Sequence, residues 1–278
     1  MADKYTLDEQ VVIKSLEAIA TQVHERTNEG QEVDNPTKLL LIGGIANQLY
    51  CHSNYPHLIR PTADLDILTD SFVGYPTFRD VLAPRIESQL NGYNPQHKQA
   101  QRVYEILLEE DSHRGFMIHF PNLSRKRYGR LKGSLERQVS SSLEFRIPNS
   151  EKTVRVQIPE EIFYHKMHRL RIIEKEGHIP RELEKIYRKL SKMDWISLSG
   201  IDINTWTSDL KKQKEMLPAY FDHGLDVFIP KIREYTASKD IFDLLMLTSL
   251  AVQNELDFNE DMYKHIIESE KSFGLYDV

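Results

Sequence analysis

"GGIANQLYCHSNYPHLIRPTADLDIL", residues 43–68, decides how this chain is read. Within it and just beyond, "ADLDILTD" (63–70) alternates apolar and polar positions, the pattern of a strand with one buried face. Side chains two residues apart then project from the same side, so Asp64 and Asp66 stand as neighbours while Leu65 and Ile67 face away. Two adjacent carboxylates repel unless a cation lies between them, and hard divalent ions such as Mg²⁺ favour carboxylate oxygen combined with phosphate oxygen. The glycine pair, Gly43 and Gly44, ends a short apolar run, "KLLLIGG" (38–44), that reads as a buried strand, and "IANQLYCH" continues as a helix. Glycines at a strand-to-helix turn let backbone N–H groups and the positive end of the helix approach a phosphate. Cation and anion sites would then be adjacent. Alone, each feature is common: D-x-D occurs in many strands and a glycine pair in many plain turns.

The sequence to either side predicts a mixed first half and a helical second half. "TLDEQVVIKSLEAIATQVHER" (6–26) carries apolar residues at helical spacing behind Thr6. "YPTFRDVLAPRIESQL" (75–90) also reads as helix, and "QRVYEILLEEDSHRGFMIHF" (101–120) as a hairpin about a polar turn. A basic helix follows, then two strand-like runs, "SSLEFRIP" and "TVRVQIP". From Glu160 onward the periodicity is almost wholly helical, through "EEIFYHKMHRLRIIEKEG", "PRELEKIYRKLSKM", "TWTSDLKKQKEMLPAYFDHG", "KDIFDLLMLTSLAVQNEL" and "NEDMYKHIIESEKSF". The expected fold class is α+β: a mixed sheet with helices in residues 1–158, then a mainly helical region in 159–278.

Composition narrows the function class. The 278 residues are 40% hydrophobic and 28% charged, with no apolar run long enough for a membrane span. The charged start, "MADKYTLDEQ", has no secretory pattern, so a cytoplasmic location is expected. One cysteine, Cys51, excludes an internal disulfide and cysteine-rich metal sites; a buried, inert thiol is expected. A net charge of −6 argues against a general nucleic-acid coat. A local basic run does exist at 125–137, where Arg125, Lys126, Arg127, Arg130, Lys132 and Arg137 face the single acid Glu136. Such runs are ordinarily solvated helix faces, and this one gains meaning only beside an active site. The histidine pair His165 and His168, with His52 and His57 near the first motif, does not make a zinc site, because no further ligand is placed by spacing. Trp195 and Trp206 are expected to pack rather than to stack on bases.

In order, the strand, the glycine pair, the helix and the pattern R-x-T-x-D-x-D (Arg60, Thr62, Asp64, Asp66) resemble the nucleotidyltransferase superfamily that includes DNA polymerase β. The match is closer to its AbiEii-type branch of toxin and abortive-infection proteins. "PEEIFYHKMHRL" resembles that branch's helix with an inward lysine, here Lys166, and "REYTASKDIFDLLML" its K-D-x-x-D segment, here Lys239, Asp240 and Asp243. The resemblance covers about half of the chain, concentrated at 38–68, 158–170 and 233–247. It implies a nucleotidyltransferase in which Asp64 and Asp66 bind Mg²⁺, singly or as a pair of ions. Gly43 and Gly44 would seat the phosphates of an NTP, helped by Arg60, Thr62 and Lys239. Lys166 would contact the β- or γ-phosphate, and Asp240 or Asp243 would orient it or the acceptor. The implied acceptor is RNA, with the 3′ end of a tRNA foremost, and the implied partner is an antitoxin.

Three departures stand beside the match. Glycine-glycine replaces the superfamily's usual glycine-serine. Lys166 and Lys239 are far apart in sequence. The third metal-binding acid is missing from "GFMIHF", which offers His119; Glu105, Glu109, Glu110 and Glu144 remain open alternatives. Two rival readings follow, a nucleotide or RNA binder that has lost catalysis, and a D-x-D strand that holds Ca²⁺ or merely packs beside a partner-binding helical region.

Overall fold

The computed structural model of the chain describes residues 5–28, 38–52, 59–111, 114–198, 201, 203 and 206–272. A single sheet of seven strands organises it: β1 Leu39–Ile42, β2 Asp64–Thr69, β3 Gln96–Gln99, β4 Val103–Asp111, β5 Arg114–Pro121, β6 Leu143–Arg146 and β7 Thr153–Val156. Their order across the sheet is β3-β4-β5-β2-β1-β7-β6. Only the β2/β5 and β1/β7 pairings are parallel; the other four are antiparallel. The D-x-D strand is therefore central, with pairing on both edges.

The expected alternation holds along β2. Leu65 and Ile67 are buried while Asp64, Asp66 and Leu68 are only partly covered. Burying each of those two apolar side chains is worth about 1.5–3 kcal/mol, which fixes the register, since a one-residue slip would bury the aspartates instead. The hairpin read at 101–120 is β4/β5, and the two later runs are the antiparallel pair β6/β7. Strand β3 escaped the sequence reading because "QHKQ" has no apolar face: it is a polar strand at the sheet edge.

Helix α1 (Gln10–Asn28) turns Val11, Val12, Leu16 and Ile19 into the core. Helix α2 (Gly43–Cys51) follows β1 directly and buries Ile45, Ala46, Leu49 and Cys51. The helix read at 75–90 is divided into α3 (Tyr75–Thr77), a π-turn at Phe78–Leu82 and α4 (Ala83–Glu87). The Ala83 N–H reaches back five residues to the Phe78 carbonyl, and Pro84, the next residue, has no N–H to continue the usual ladder. The basic run forms α5 (Arg125–Ser140), capped by the Ser124 hydroxyl, which accepts from the Arg127 N–H at 3.2 Å.

The C-terminal region is helical as expected: α6 (Pro159–Lys175), α7 (Glu184–Ser191), α8 (Trp195–Leu198), α9 (Trp206–Asp222), α10 (Leu225–Val252) and α11 (Glu260–Ser272). The K-D-x-x-D segment lies in the middle of the 28-residue α10. One buried cluster extends from Tyr5 to Ile266, so these helices share a core with the sheet. Trp195 packs there edge-on against Phe163 and Phe258.

A buried ion cluster fastens α5 to α6 and α11. Arg137 donates to both carboxylate oxygens of Glu161, at 2.9 and 3.1 Å, and to Glu270 at 2.6 Å. Glu161 and Glu270 are almost wholly buried. Removing the cation from such a cluster leaves buried charge uncompensated, which typically costs about 3–5 kcal/mol. Arg137→Ala is accordingly expected to lower unfolding free energy by roughly that amount in urea titration. A loss below about 1 kcal/mol would show that the cluster does not hold the helices to the sheet.

Candidate active site

The site is built on one rung of the sheet. Ile42, Asp66, His119, Glu105 and Lys98 are successive cross-strand partners on β1, β2, β5, β4 and β3. Asp66 and His119 thus lie side by side on parallel neighbours, and Asp64 is one pleat away on the same face. His119 Nδ1 is 3.4 Å from Asp66 Oδ1 and 3.9 Å from Asp64 Oδ2. Among the described residues these three form the only group whose ligand atoms gather within 4.8 Å as a metal site requires. Burial opposes a charge on His119, but Asp66 and Asp64, with Glu105 behind them, outweigh it and raise its pKa.

The side chains around the carboxylates set their positions. Thr62 is buried and donates its hydroxyl to Asp64 Oδ1 at 2.7 Å, while its backbone exchanges hydrogen bonds with Tyr5. The side chain read as a nucleotide contact therefore orients a carboxylate here. Gly43 adopts φ +72°, and a methyl group there would stand 2.6 Å from Asp66 Oδ2. A methyl at Gly44 would approach Thr62 Oγ1 to 3.2 Å and Arg60 Nη2 to 3.3 Å. Both glycines are thus packed against the R-x-T-x-D-x-D segment. No side chain caps α2, which begins at Gly43, so its first N–H groups keep their capacity for an anion.

The helical region contributes a second ion cluster. Lys166, on α6, donates to Asp243 at 2.7 Å and to Asp240 at 3.2 Å, both on α10. Arg169, one turn further along α6, grips Asp240 through both carboxylate oxygens at 2.5 Å each. Arg60 reaches Asp243 at 3.4 and 3.5 Å, which ties the D-x-D loop to α10. The lysine and K-D-x-x-D motifs, remote in sequence, therefore meet. Burial alone would raise both aspartates, but Lys166 with Arg60 at Asp243, and Lys166 with Arg169 at Asp240, hold them well below the ordinary carboxylate range. Burial together with the neighbouring Arg60 pushes the pKa of Lys239 down. Three cations, Lys166, Arg169 and Arg60, face two carboxylates, an excess suited to an anion.

A cavity of about 500 Å³ brings Gly43 and Asp66 together with Lys166, His168 and Arg169 of α6 and Arg127 of α5. Compared with known proteins, the chain matches no protein-family model and no curated protein at a significant level. Among solved structures it is similar to an antigenic nucleotidyltransferase-like protein from Paracoccidioides brasiliensis, at 14% identity and a TM-score of 0.37. That alignment covers 57% of this chain and 66% of the other.

The structure also places the other residues singled out by the sequence. Glu105 turns its carboxylate to Lys98 at 3.1 Å, Glu109 lies at the far, exposed end of the hairpin, and Glu144 pairs with Arg155 across the other sheet edge. None of those three joins the aspartates; the side chain of Glu110, and His57, lie outside the described residues. In the basic run, Arg137 is withdrawn into the buried cluster, whereas Arg125, Lys126, Arg127, Arg130 and Lys132 are exposed. His165 faces Glu161 at 3.5 Å. Cys51 is buried, and burial raises its thiol pKa. Arg169 went unread, although Lys166-x-x-Arg169 mirrors the spacing of Asp240-x-x-Asp243.

Two outcomes follow. Asp240 and Asp243 have folded pKa values below the unfolded 3.8, so their stabilisation is complete above that pH and lost as pH falls through and beneath it. Asp243→Asn is expected to cost about 3–5 kcal/mol at pH 7 and to flatten the acid limb of stability below about pH 4; an unchanged limb in urea titrations from pH 2.5 to 7 refutes this. Gly43→Ala, forced into a left-handed conformation, is expected to lose about 1–2 kcal/mol. Equal unfolding midpoints for the variant and the parent would show that the turn relaxes freely.

Proposed function

We propose that this chain is a metal-dependent nucleotidyltransferase that moves an NMP from an NTP to a hydroxyl acceptor. The observation that carries the reading is the pair Asp64 and Asp66 beside an uncapped glycine turn, with Gly43, Asp66, Lys166 and Arg169 bordering one cavity. An acid pair bordered by cations is the donor set that a metal-chelated polyphosphate requires. Asp64 and Asp66 would hold a divalent cation such as Mg²⁺, which when bound would neutralise charge gathering on the transferred phosphoryl group.

The chain's own residues perform the rest. Backbone N–H groups at Gly43 and Gly44 seat a phosphate at the head of α2. Lys166 uses two of its three donors on Asp240 and Asp243, so those carboxylates aim the ammonium and leave one donor for a β- or γ-phosphate oxygen. Arg60, held by Asp243, supplies further positive charge to the departing pyrophosphate. The acceptor hydroxyl attacks the α-phosphorus as the bond to the β-phosphate breaks, a reaction governed by alignment and charge neutralisation.

The acceptor in this reading is the 3′ end of an RNA, foremost a tRNA, approached along the exposed cations of α5. Arg127 borders both that surface and the cavity. Extending a tRNA in this way would block translation, the action of a toxin restrained by an antitoxin. The histidine in place of a third acid favours a second reading, a nucleotide or RNA binder without transfer.

One experiment separates them. Protein incubated with Mg²⁺ or Mn²⁺, each α-labelled NTP in turn and total RNA is expected to transfer label to an RNA band. Asp64→Asn and Asp66→Asn should each lower the rate by at least about a hundredfold, as loss of a metal-binding carboxylate does. Nucleotide retention without transfer, equal in parent and variants, would instead identify the binder.

A further inference from the structure

We propose that His119 is a nitrogen ligand of the metal site and that it makes the site select Mn²⁺ over Mg²⁺. The inference rests on the reading of Asp64 and Asp66 as metal ligands, but not on nucleotidyl transfer. Its geometric basis is the spacing of the three ligand atoms. Two ligands at about 2.1 Å from one ion are separated by about 3.0 Å when adjacent and about 4.2 Å when opposite in octahedral geometry. The Nδ1 separations of 3.4 Å from Asp66 and 3.9 Å from Asp64 fall inside that interval. One ligand atom from each of the three residues lies within 4.8 Å of the other two, close enough for all three to reach a single ion.

The ring is also placed by the fold. His119 is the direct cross-strand partner of Asp66, held on a strand paired on both edges, with only 16% of its side chain exposed. Nδ1 is the nitrogen turned to the carboxylates; Nε2 is buried and has no hydrogen-bond partner. A ligating Nδ1 must carry the lone pair, with the ring proton on Nε2. Gly43 keeps the space beside Asp66 Oδ2 open, since any Cβ there would close to 2.6 Å.

Donor chemistry then sets the preference. Mg²⁺ is small, hard and almost exclusively oxygen-bound, and it gives up water reluctantly. Imidazole nitrogen favours first-row transition ions, whose affinity rises from Mn²⁺ along the series. An all-carboxylate triad does not discriminate in this way. Replacing one acid by histidine also removes a negative charge, which weakens a purely electrostatic Mg²⁺ site. Mn²⁺ keeps the octahedral geometry that a polyphosphate complex needs while accepting the nitrogen.

The test uses the whole chain without nucleotide or RNA. Mn²⁺ binding is followed by loss of the free-ion electron paramagnetic resonance signal, and Mg²⁺ by competition. The parent is expected to prefer Mn²⁺ by at least tenfold. His119→Asp should reduce that preference by about tenfold, and His119→Ala should weaken Mn²⁺ binding by a similar factor, within the range for loss of a ligand's support. Should either variant fail to fold, the parent alone decides. Electron spin echo envelope modulation at millimolar Mn²⁺ should show a directly coordinated ¹⁴N nucleus, and its absence overturns the proposal. So does a Mn²⁺/Mg²⁺ ratio that is the same in parent and His119→Asp. Transfer activity supported equally by Mg²⁺, with no nitrogen coupling, would sink this inference and leave the enzyme reading standing; nitrogen-coupled Mn²⁺ without transfer would do the reverse.

Discussion

Asp243 is buried from solvent, so its charge must be stabilised by the groups packed around it. Lys166 from α6 and Arg60 from the loop before β2 both reach it, while Asp240, one helical turn earlier, takes Lys166 and Arg169. Three segments far apart in sequence are thereby committed to one arrangement. Removing Lys166, which both carboxylates share, would leave each buried aspartate with one cation instead of two, a larger loss than either contact's own net contribution. The same cluster sets three cations, Lys166, Arg169 and Arg60, against two carboxylates, an excess of positive charge that suits an anionic guest.

Beside the cavity the sheet presents the opposite chemistry. Asp64 and Asp66 share a face because β2 is pleated, and that face is kept outward by Leu65 and Ile67. Thr62 fixes Asp64, and His119 stands against both acids. A ligand that satisfies both walls must bring a cation to one and anionic oxygen to the other, which a metal-chelated phosphate does. The glycine turn lies between them at the head of α2.

The buried Arg137 cluster explains why the basic helix cannot be read as one surface. Five of its cations point outward, yet the sixth is spent joining α5 to α6 and α11. Charge counted along a sequence does not distinguish the two uses, because the deciding acids, Glu161 and Glu270, are remote from the run.

Local pattern alone determined much of this protein. Alternation made β2 a strand with paired aspartates, the apolar run before Gly43 made β1, and helical spacing marked the C-terminal half, because each signal depends only on neighbours in the chain. Tertiary structure decided the rest. The polar β3 is a strand only because β4 offers it an edge. His119 looked like an omission in sequence; opposite Asp66 on a parallel neighbour it stands within reach of both aspartates. Arg169 is matched to Asp240 only when α6 and α10 lie together. Pairings between remote segments arise from packing, and no local spacing encodes them.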